Sequence, residues 1–440
     1  MQATSLRMTM VRRPAEELAV WTANVLLRPL QALIAAPTVL FLVALTAMLL
    51  RHPDVKGYES DRVAFGVLVL AVISRSLFFR QRAFFMERAS WPMIGLTAMA
   101  LISVAGQPFN NETWSLLGSK IFVPFALFHI AGLVFTEEKY FHQFEIFSVV
   151  VLAYLSFTAI AFLCGARSLI FPRFILDESL GIHVDRARGP LLQAVANGVS
   201  LNMLGLVALN AYWRRSMRGP WIAILLGSLP VAILATMTRA VWLSFAGAVV
   251  ALIALSRNRT LRLAGVVAAI LGVLCVVVVF SSKEVGGALS DRLEDRGPVE
   301  FREAVYAGGW QMFLQKPWLG WGFHRMPAEL PRYVTGYNQK ELYPHNTYLE
   351  LLAEQGVFGL TLYLWLMWEL WSLGRGGIPP EERDGFLSQH FHRLWPILLA
   401  VYWLNALVVV MSYQFVNGLL FTMAGMLAAQ RRRAEVLRPC

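Results

Sequence analysis

Long apolar windows separated by short polar connections run the length of this chain. A helix needs about 20 mostly apolar residues to cross the hydrocarbon core of a bilayer. Windows of that kind fall at 30–50, 62–79, 90–106, 116–136, 143–164, 190–212, 219–237, 239–256, 261–281, 348–373, 393–412 and 414–430. The pattern predicts an all-α polytopic membrane protein with about 12 transmembrane helices. One connection stands apart from the rest. Segment 282–347 is long, amphipathic and Trp-containing, which predicts a helical segment folded outside the bilayer between spans nine and ten. The expected organisation is therefore one integral membrane domain, with spans over 1–281 and 348–440 and the loop segment 282–347 between them. No internal repeat, heptad seam or Gly/Ser linker interrupts it.

The Lys and Arg residues near span ends set the orientation. With twelve spans, Arg12 and Arg13, then Arg80, Arg82 and Arg88, Arg214, Arg215 and Arg218, Arg257, Arg259 and Arg262, and Arg431 to Arg433 all fall on one side. That side is expected to be cytoplasmic and to hold both termini, the first one retained rather than cleaved. The other side receives 51–61, the short GQPFNNETW, 165–189, a tight turn at Thr236 to Arg239, and 282–347. Surface chemistry is expected there.

Composition agrees with the pattern. The chain has 57% apolar and 15% charged residues, and a mean hydropathy of +0.54. The net charge of +11 is the charge that fixes topology, so nucleic acid is not an expected partner. Cys164, Cys275 and Cys440 have neither paired nor metal-ligand spacing. His390 and His392 lie in a loop expected to be cytoplasmic with no third ligand, and no metal site is assigned.

Ionisable groups inside spans are costly and mark function by default. Here they gather at the expected outer ends, as Lys120, Arg239, Glu350 and Glu354, flanked by loop residues Arg186, Arg188, Arg292, Arg296, Arg302 and His345. An ion-coupled transporter would carry mid-depth carboxylates near paired broken helices, and these are missing. Several arginines at a membrane surface suit phosphate, because the guanidinium fork matches its oxygens and stays charged. No Asp-x-Asp pair, Gly-x4-Gly-Lys-Ser/Thr loop or Gly-x-Gly-x2-Gly turn supports nucleotide binding. A lipid-linked pyrophosphate already carries its leaving group, so a site with arginines and one base could work without metal or cofactor.

Residues 300–360 carry a resemblance. Arg302 opens an amphipathic helix, Pro317 precedes Gly320-Trp321-Gly322, and His345-Asn346 lead into a Glu-containing span with Gly356 and Gly359. This order resembles the O-antigen ligase and polymerase superfamily. Its ligase branch is associated with Arg-x3-Leu, matched by Arg239 to Leu243, and with His-[Asn/Ser/Gln]-x9-Gly-x2-[Gly/Thr/Tyr], matched by His345, Asn346, Gly356 and Gly359. Arg188, Gly189 and Asn197 echo a further family stretch, although Pro190 and Leu191 depart from the small residue and Phe usual there. The resemblance covers roughly 185–365. It implies a type-C glycosyltransferase architecture in a Gram-negative inner membrane, with a periplasmic site. It further implies an undecaprenyl-pyrophosphate-linked O-antigen as donor, the lipid A core oligosaccharide as acceptor, and metal-free inversion.

Under that resemblance His345 is the expected catalytic base, since an imidazole titrates near neutrality; the alternative is a histidine that merely precedes a helix. Arg188, Arg239 and Arg302 are expected to bind pyrophosphate. The alternative for Arg239 is snorkelling at the interface, although its place in a tight turn between two spans favours pyrophosphate; Arg188 and Arg302 are equally placed to pair with Asp185, Glu300 or Glu303. Asn346 either caps the following helix or contacts substrate. Glu350 and Glu354, one turn apart, are expected to orient an Arg or His. Trp310, Trp318 and Trp321 read as interfacial anchors.

Overall fold

The computed structural model describes residues 36–51, 59–79, 84–181, 183–217, 219–255, 297–336 and 340–437, together with scattered positions between 259 and 274. Helices are the only regular structure among them, and apart from those within 297–332 the longer ones fall where the apolar windows lie. They are α1 (Pro37–Leu49), α2 (Ser60–Phe79), α3 (Ser90–Ala105), α4 (Asn111–Val134), α5 (Glu138–Leu163), α6 (Ala194–Arg214), α7 (Pro220–Ala235) and α8 (Arg239–Leu255), then α9 (Gly297–Gln315), α10 (Thr347–Leu373), α11 (Gln389–Ala406) and α12 (Gln414–Val436). Of these, α4, α5, α6 and α10 are long and apolar enough to cross a membrane, and α1, α3, α7 and α8 are shorter apolar helices. The chain is thus a helical membrane protein. The ninth window, 261–281, lies largely outside the described residues, as do Arg292, Arg296 and the N-terminal arginines.

Prolines set several boundaries without ending helices. Pro37 and Pro220 occupy first-turn positions, where the missing N–H has no partner to lose. Pro230 and Pro396 lie inside α7 and α11, which continue through them. Within apolar surroundings neighbouring helices stabilise such interruptions. The middle of the bundle is α6, whose side chains from Ala194 to Ala211 are almost all buried. Small residues allow close approach: Gly205 faces Leu229 of α7, Gly198 faces Val241 of α8, and Gly425 of α12 lies against the Phe128 backbone of α4.

Helix directions follow from named contacts. Phe125 meets Phe421 at 5.1 Å between ring centroids, so α4 and α12 run side by side in the same direction. The Asn405 amide donates to Ser244 Oγ at 2.9 Å, which joins the end of α11 to the start of α8. Segment 297–346 has a small core of its own, with Val305, Met312, Met326, Leu330 and Leu342 packed against Ala353 of α10. Phe323 fills a second cluster with Ala100, Val104, Leu117 and Ile121, fixing the segment to α3 and α4.

Candidate active site

Helix α10 is broken one third of the way along. Gly356 has φ 65° and ψ −163°, so the α ladder stops and restarts there. The released groups are taken by the strip Pro317–Gly322. Trp321 N–H donates to Ala353 O at 2.9 Å and Gly322 N–H to Glu354 O at 2.8 Å, while Val357 N–H donates to Pro317 O at 2.8 Å. A Cβ on Gly356 would lie 2.2 Å from Trp318 O, and one on Gly320 2.3 Å from the Glu354 carbonyl carbon. Both positions also have left-handed φ, so glycine is required twice over. Pro317, Gly320, Gly322 and Gly356, spread over the chain, therefore form one structural joint.

The joint presents the start of α10. Asn346 is its N-cap: the side-chain oxygen accepts from Tyr348 N–H at 3.0 Å and Leu349 N–H at 3.1 Å. Thr347 Oγ donates to Val409 O and accepts from Met411 N–H, both at 2.9 Å, tying α10 to the α11–α12 connection. His345 precedes the cap with φ 47°, a conformation that costs a non-glycine residue energy and tends to persist at functional positions. Its ring meets Phe301 edge-on at 6.1 Å. Tyr306 donates to Leu407 O at 3.2 Å and approaches His345 O at 3.4 Å, joining α9 to both elements.

Electrostatics favour a neutral imidazole. Burial holds the His345 pKa below the ordinary imidazole range, and the nearby Arg302 guanidinium lowers it further. The site can thus keep a base and a fixed cation side by side. Among the described residues neither Glu300 nor Glu303 pairs with Arg302, so the alternative of an ion pair within its own helix is not what the fold adopts. Arg239 begins α8, five positions before the Ser244 that contacts Asn405. Leu407, the Tyr306 acceptor, follows Asn405 closely. Arg239, Arg302 and His345 therefore converge on one end of the bundle.

Arg188 has another role in the fold. It is 1% exposed, and its guanidinium donates to the carbonyls of Ile175 (2.9 Å), Leu180 and Asp177. It staples loop 165–189 from within, a use of arginine that the expected partner Asp185 did not suggest. Asp185 lies 3.7 Å from Arg186 instead. Asn197 donates to Ala187 O at 2.8 Å, and Ala187 N–H donates to Ala235 O at 3.0 Å. The loop is thereby held over the α7–α8 turn. A Cβ at Gly189 would lie 2.7 Å from the Asn197 side chain, which explains in packing terms why Arg188, Gly189 and Asn197 occur together.

Glu350 and Glu354 share a face of α10 but differ in partner. Glu350 is ion-paired with Lys120 of α4, both side chains nearly buried, and Glu354 accepts from Met326 N–H at 3.3 Å. Lys120 lies in a π turn, Gly118–Phe122, that interrupts α4, and such turns are frequent at functional sites. The Lys120–Glu350 pair and the hydroxyl of Tyr306 were missed in the sequence. The only available signal was that Lys120 is a charged residue near a span end. At the opposite end His392 uses both ring nitrogens, on Gly374 O at 3.0 Å and Gln430 Oε1 at 2.7 Å.

The model of a family described as O-antigen ligase matches residues 221–364, about a third of the chain, from α7 through the broken part of α10. This supports the assignment to the O-antigen ligase family that the motifs suggested, and with it a ligase- or polymerase-type, glycosyltransferase-like activity on polysaccharide or lipid-linked substrates. No curated protein matches the chain.

Proposed function

We propose that this chain is an O-antigen ligase of a Gram-negative inner membrane. It transfers undecaprenyl-pyrophosphate-linked O-antigen to the lipid A core oligosaccharide in lipopolysaccharide biosynthesis. The observation that carries the reading is the placing of His345: a half-buried imidazole in edge-on contact with Phe301 of α9, its charged form disfavoured by burial and by the nearby Arg302, inside the family-matched segment. In the proposed step a core-sugar hydroxyl oxygen attacks the anomeric carbon, His345 accepts the hydroxyl proton, and the bond to the pyrophosphate oxygen breaks with its electron pair. Arg302 and Arg239 hold the departing pyrophosphate, since charge-assisted bonds strengthen as the anion develops. Arg188 shapes the neighbouring loop. Glu350 and Glu354 fix the start of α10 rather than touch the reacting atoms, and Asn346 caps it. Attack opposite the leaving group inverts the anomeric centre.

The same reading includes twelve spans in a type-C glycosyltransferase arrangement, both termini cytoplasmic and the 282–347 segment on the periplasmic face. One helix direction supports it, because α4 and α12 run parallel, as two even-numbered spans require. The test is the lipopolysaccharide banding of a deletion strain beside its undecaprenyl-linked glycans. A ligase leaves bare core and long chains accumulated on the carrier. Core bearing a single repeat would assign the chain to polymerisation, and an unchanged pattern would remove the reading in favour of protein glycosylation or transport. His345→Ala in the same strain is expected to reproduce the deletion while the protein remains in the membrane.

A further inference from the structure

Around the π turn of α4 lies a pocket of about 550 Å³ lined by a residue just beyond α1, the start of α2, the N-terminal half of α4 and the first residue of α12. Its chemistry differs from that of the His345 region. Two arginines and two carboxylates alternate around it: Arg51 is 3.5 Å from Asp61, and Arg62 pairs with Glu59. Arg62 also donates to Ser115 Oγ at 2.8 Å. Asp61 is 1% exposed, yet among the described residues its Oδ1 has no hydrogen-bond partner, and neither has Oε1 of the lining residue Gln414. Buried acceptors left unpaired are costly, and two on one pocket call for a ligand rich in donors.

We propose that this pocket is a saccharide subsite that holds the acceptor oligosaccharide next to the transfer site. The charge balance selects the ligand class. A phosphate group would gain two guanidinium groups but meet two carboxylates, whereas vicinal hydroxyls donate to carboxylate and amide oxygens and accept from the arginines. Trp114 supplies an aromatic wall, the usual apolar partner in a pocket otherwise lined by a few placed polar groups. Two connections lead from the subsite to the first turn of α10, which follows His345. In the π turn, Ser119 lines the pocket, and the next residue, Lys120, pairs with Glu350 of α10. Gln414 lies just beyond Met411, whose N–H is held by Thr347. The identity of the saccharide as an acceptor rests on the ligase reading; the pocket's preference for a glycan does not.

Gly118 offers a clean way to fill the pocket. It lines the wall, and a Cβ there meets nothing within 4 Å. The experiment titrates core oligosaccharide, released from lipid A by mild acid, into the purified full-length chain in nanodiscs. Calorimetry follows binding, in phosphorylated and dephosphorylated forms of the probe. Wild type and His345→Ala are expected to bind both forms alike, while Gly118→Leu and Trp114→Ala weaken binding by about tenfold or more. Wild-type affinity in Gly118→Leu and Trp114→Ala overturns the subsite, as does no binding by the wild type. So does binding restricted to the phosphorylated probe and displaced by inorganic phosphate. If His345→Ala retains transfer, the catalytic reading falls instead, and the binding contrast stands by itself.

Discussion

At one end of the bundle Arg214 is closed off by Glu138 at 2.7 Å and Glu145 at 3.0 Å, and Arg433 by Glu382 at 2.7 Å. At the other end Arg302 lies beside His345, and no carboxylate among the described residues pairs with it. The first arrangement neutralises cations and ties helix ends together: Arg214 also donates to Asp384 O at 3.0 Å, and Phe386 N–H to Glu138 at 3.0 Å. The second leaves a cation next to a base whose charged form it disfavours. Paired charges serve assembly, and a charge kept available for an incoming anion serves chemistry. The difference shows where on this molecule an anionic substrate is to be expected.

The largest effect expected from breaking the site end is at its joint. Gly356→Ala would place a methyl 2.2 Å from Trp318 O at left-handed φ. Strain at that φ and the displaced bonds to the Pro317–Gly322 strip together cost about 3 kcal/mol or more. Transfer should vanish and the melting temperature in detergent should drop. A variant with wild-type melting and activity would show that the break in α10 is not required.

Next in size is the Lys120–Glu350 pair. Removing one partner leaves a buried charge uncompensated at about 3 kcal/mol, whereas replacing both by apolar side chains is close to neutral. Lys120→Met should therefore melt earlier, and adding Glu350→Leu should restore stability. If the double variant regains its melting temperature but not transfer, the pair acts on the substrate as well as on the fold.

Arg302→Gln sharpens the comparison directly. Loss of a charge-assisted contact to pyrophosphate predicts a fall in transfer of about 10–100-fold. The pH profile carries a separate signature. His345 acts while neutral, so its depressed pKa keeps the acid limb of activity below the ordinary imidazole range. Removing Arg302 relieves the smaller of the two causes, and the limb should move to higher pH while burial still holds it low. A limb that stays put would mean that Arg302 does not act on His345. At the other end, Arg214→Gln should lower stability and leave the profile unmoved.

These two ends were unequally legible in the sequence. Apolar windows marked the helices well because a bilayer span leaves a long uninterrupted signal; α10 begins one residue from its expected start. The break at Gly356 was invisible inside that window, since the window stays apolar through it and the strip that pairs with it lies far upstream. The motif residues were found, but their division of labour was not. Asn346, Gly356 and Gly359 read as a signature around His345, and the fold shows a cap, a break and a close contact with Gln355. Lys120 and Glu350 are 230 positions apart, so only packing could join them. Arg188 looked like a phosphate ligand because its carbonyl partners belong to the backbone, which carries no sequence signal.

The smallest effect separates the two roles left open for Asn346. As an N-cap it satisfies two amide N–H groups of α10, a contribution of about 1 kcal/mol that alanine removes and serine or aspartate largely keeps. Its side-chain nitrogen, by contrast, is what a substrate oxygen would use. If capping is the whole role, Asn346→Ser keeps both melting temperature and transfer near wild type, and Asn346→Ala loses a little stability and transfers at nearly the normal rate once folded. If the amide contacts glycan or pyrophosphate, Ser and Ala variants lose transfer together while only Ala loses stability. Comparing the two variants in one assay therefore shows whether the chemistry at this end stops at His345 or extends into the cap of the helix behind it.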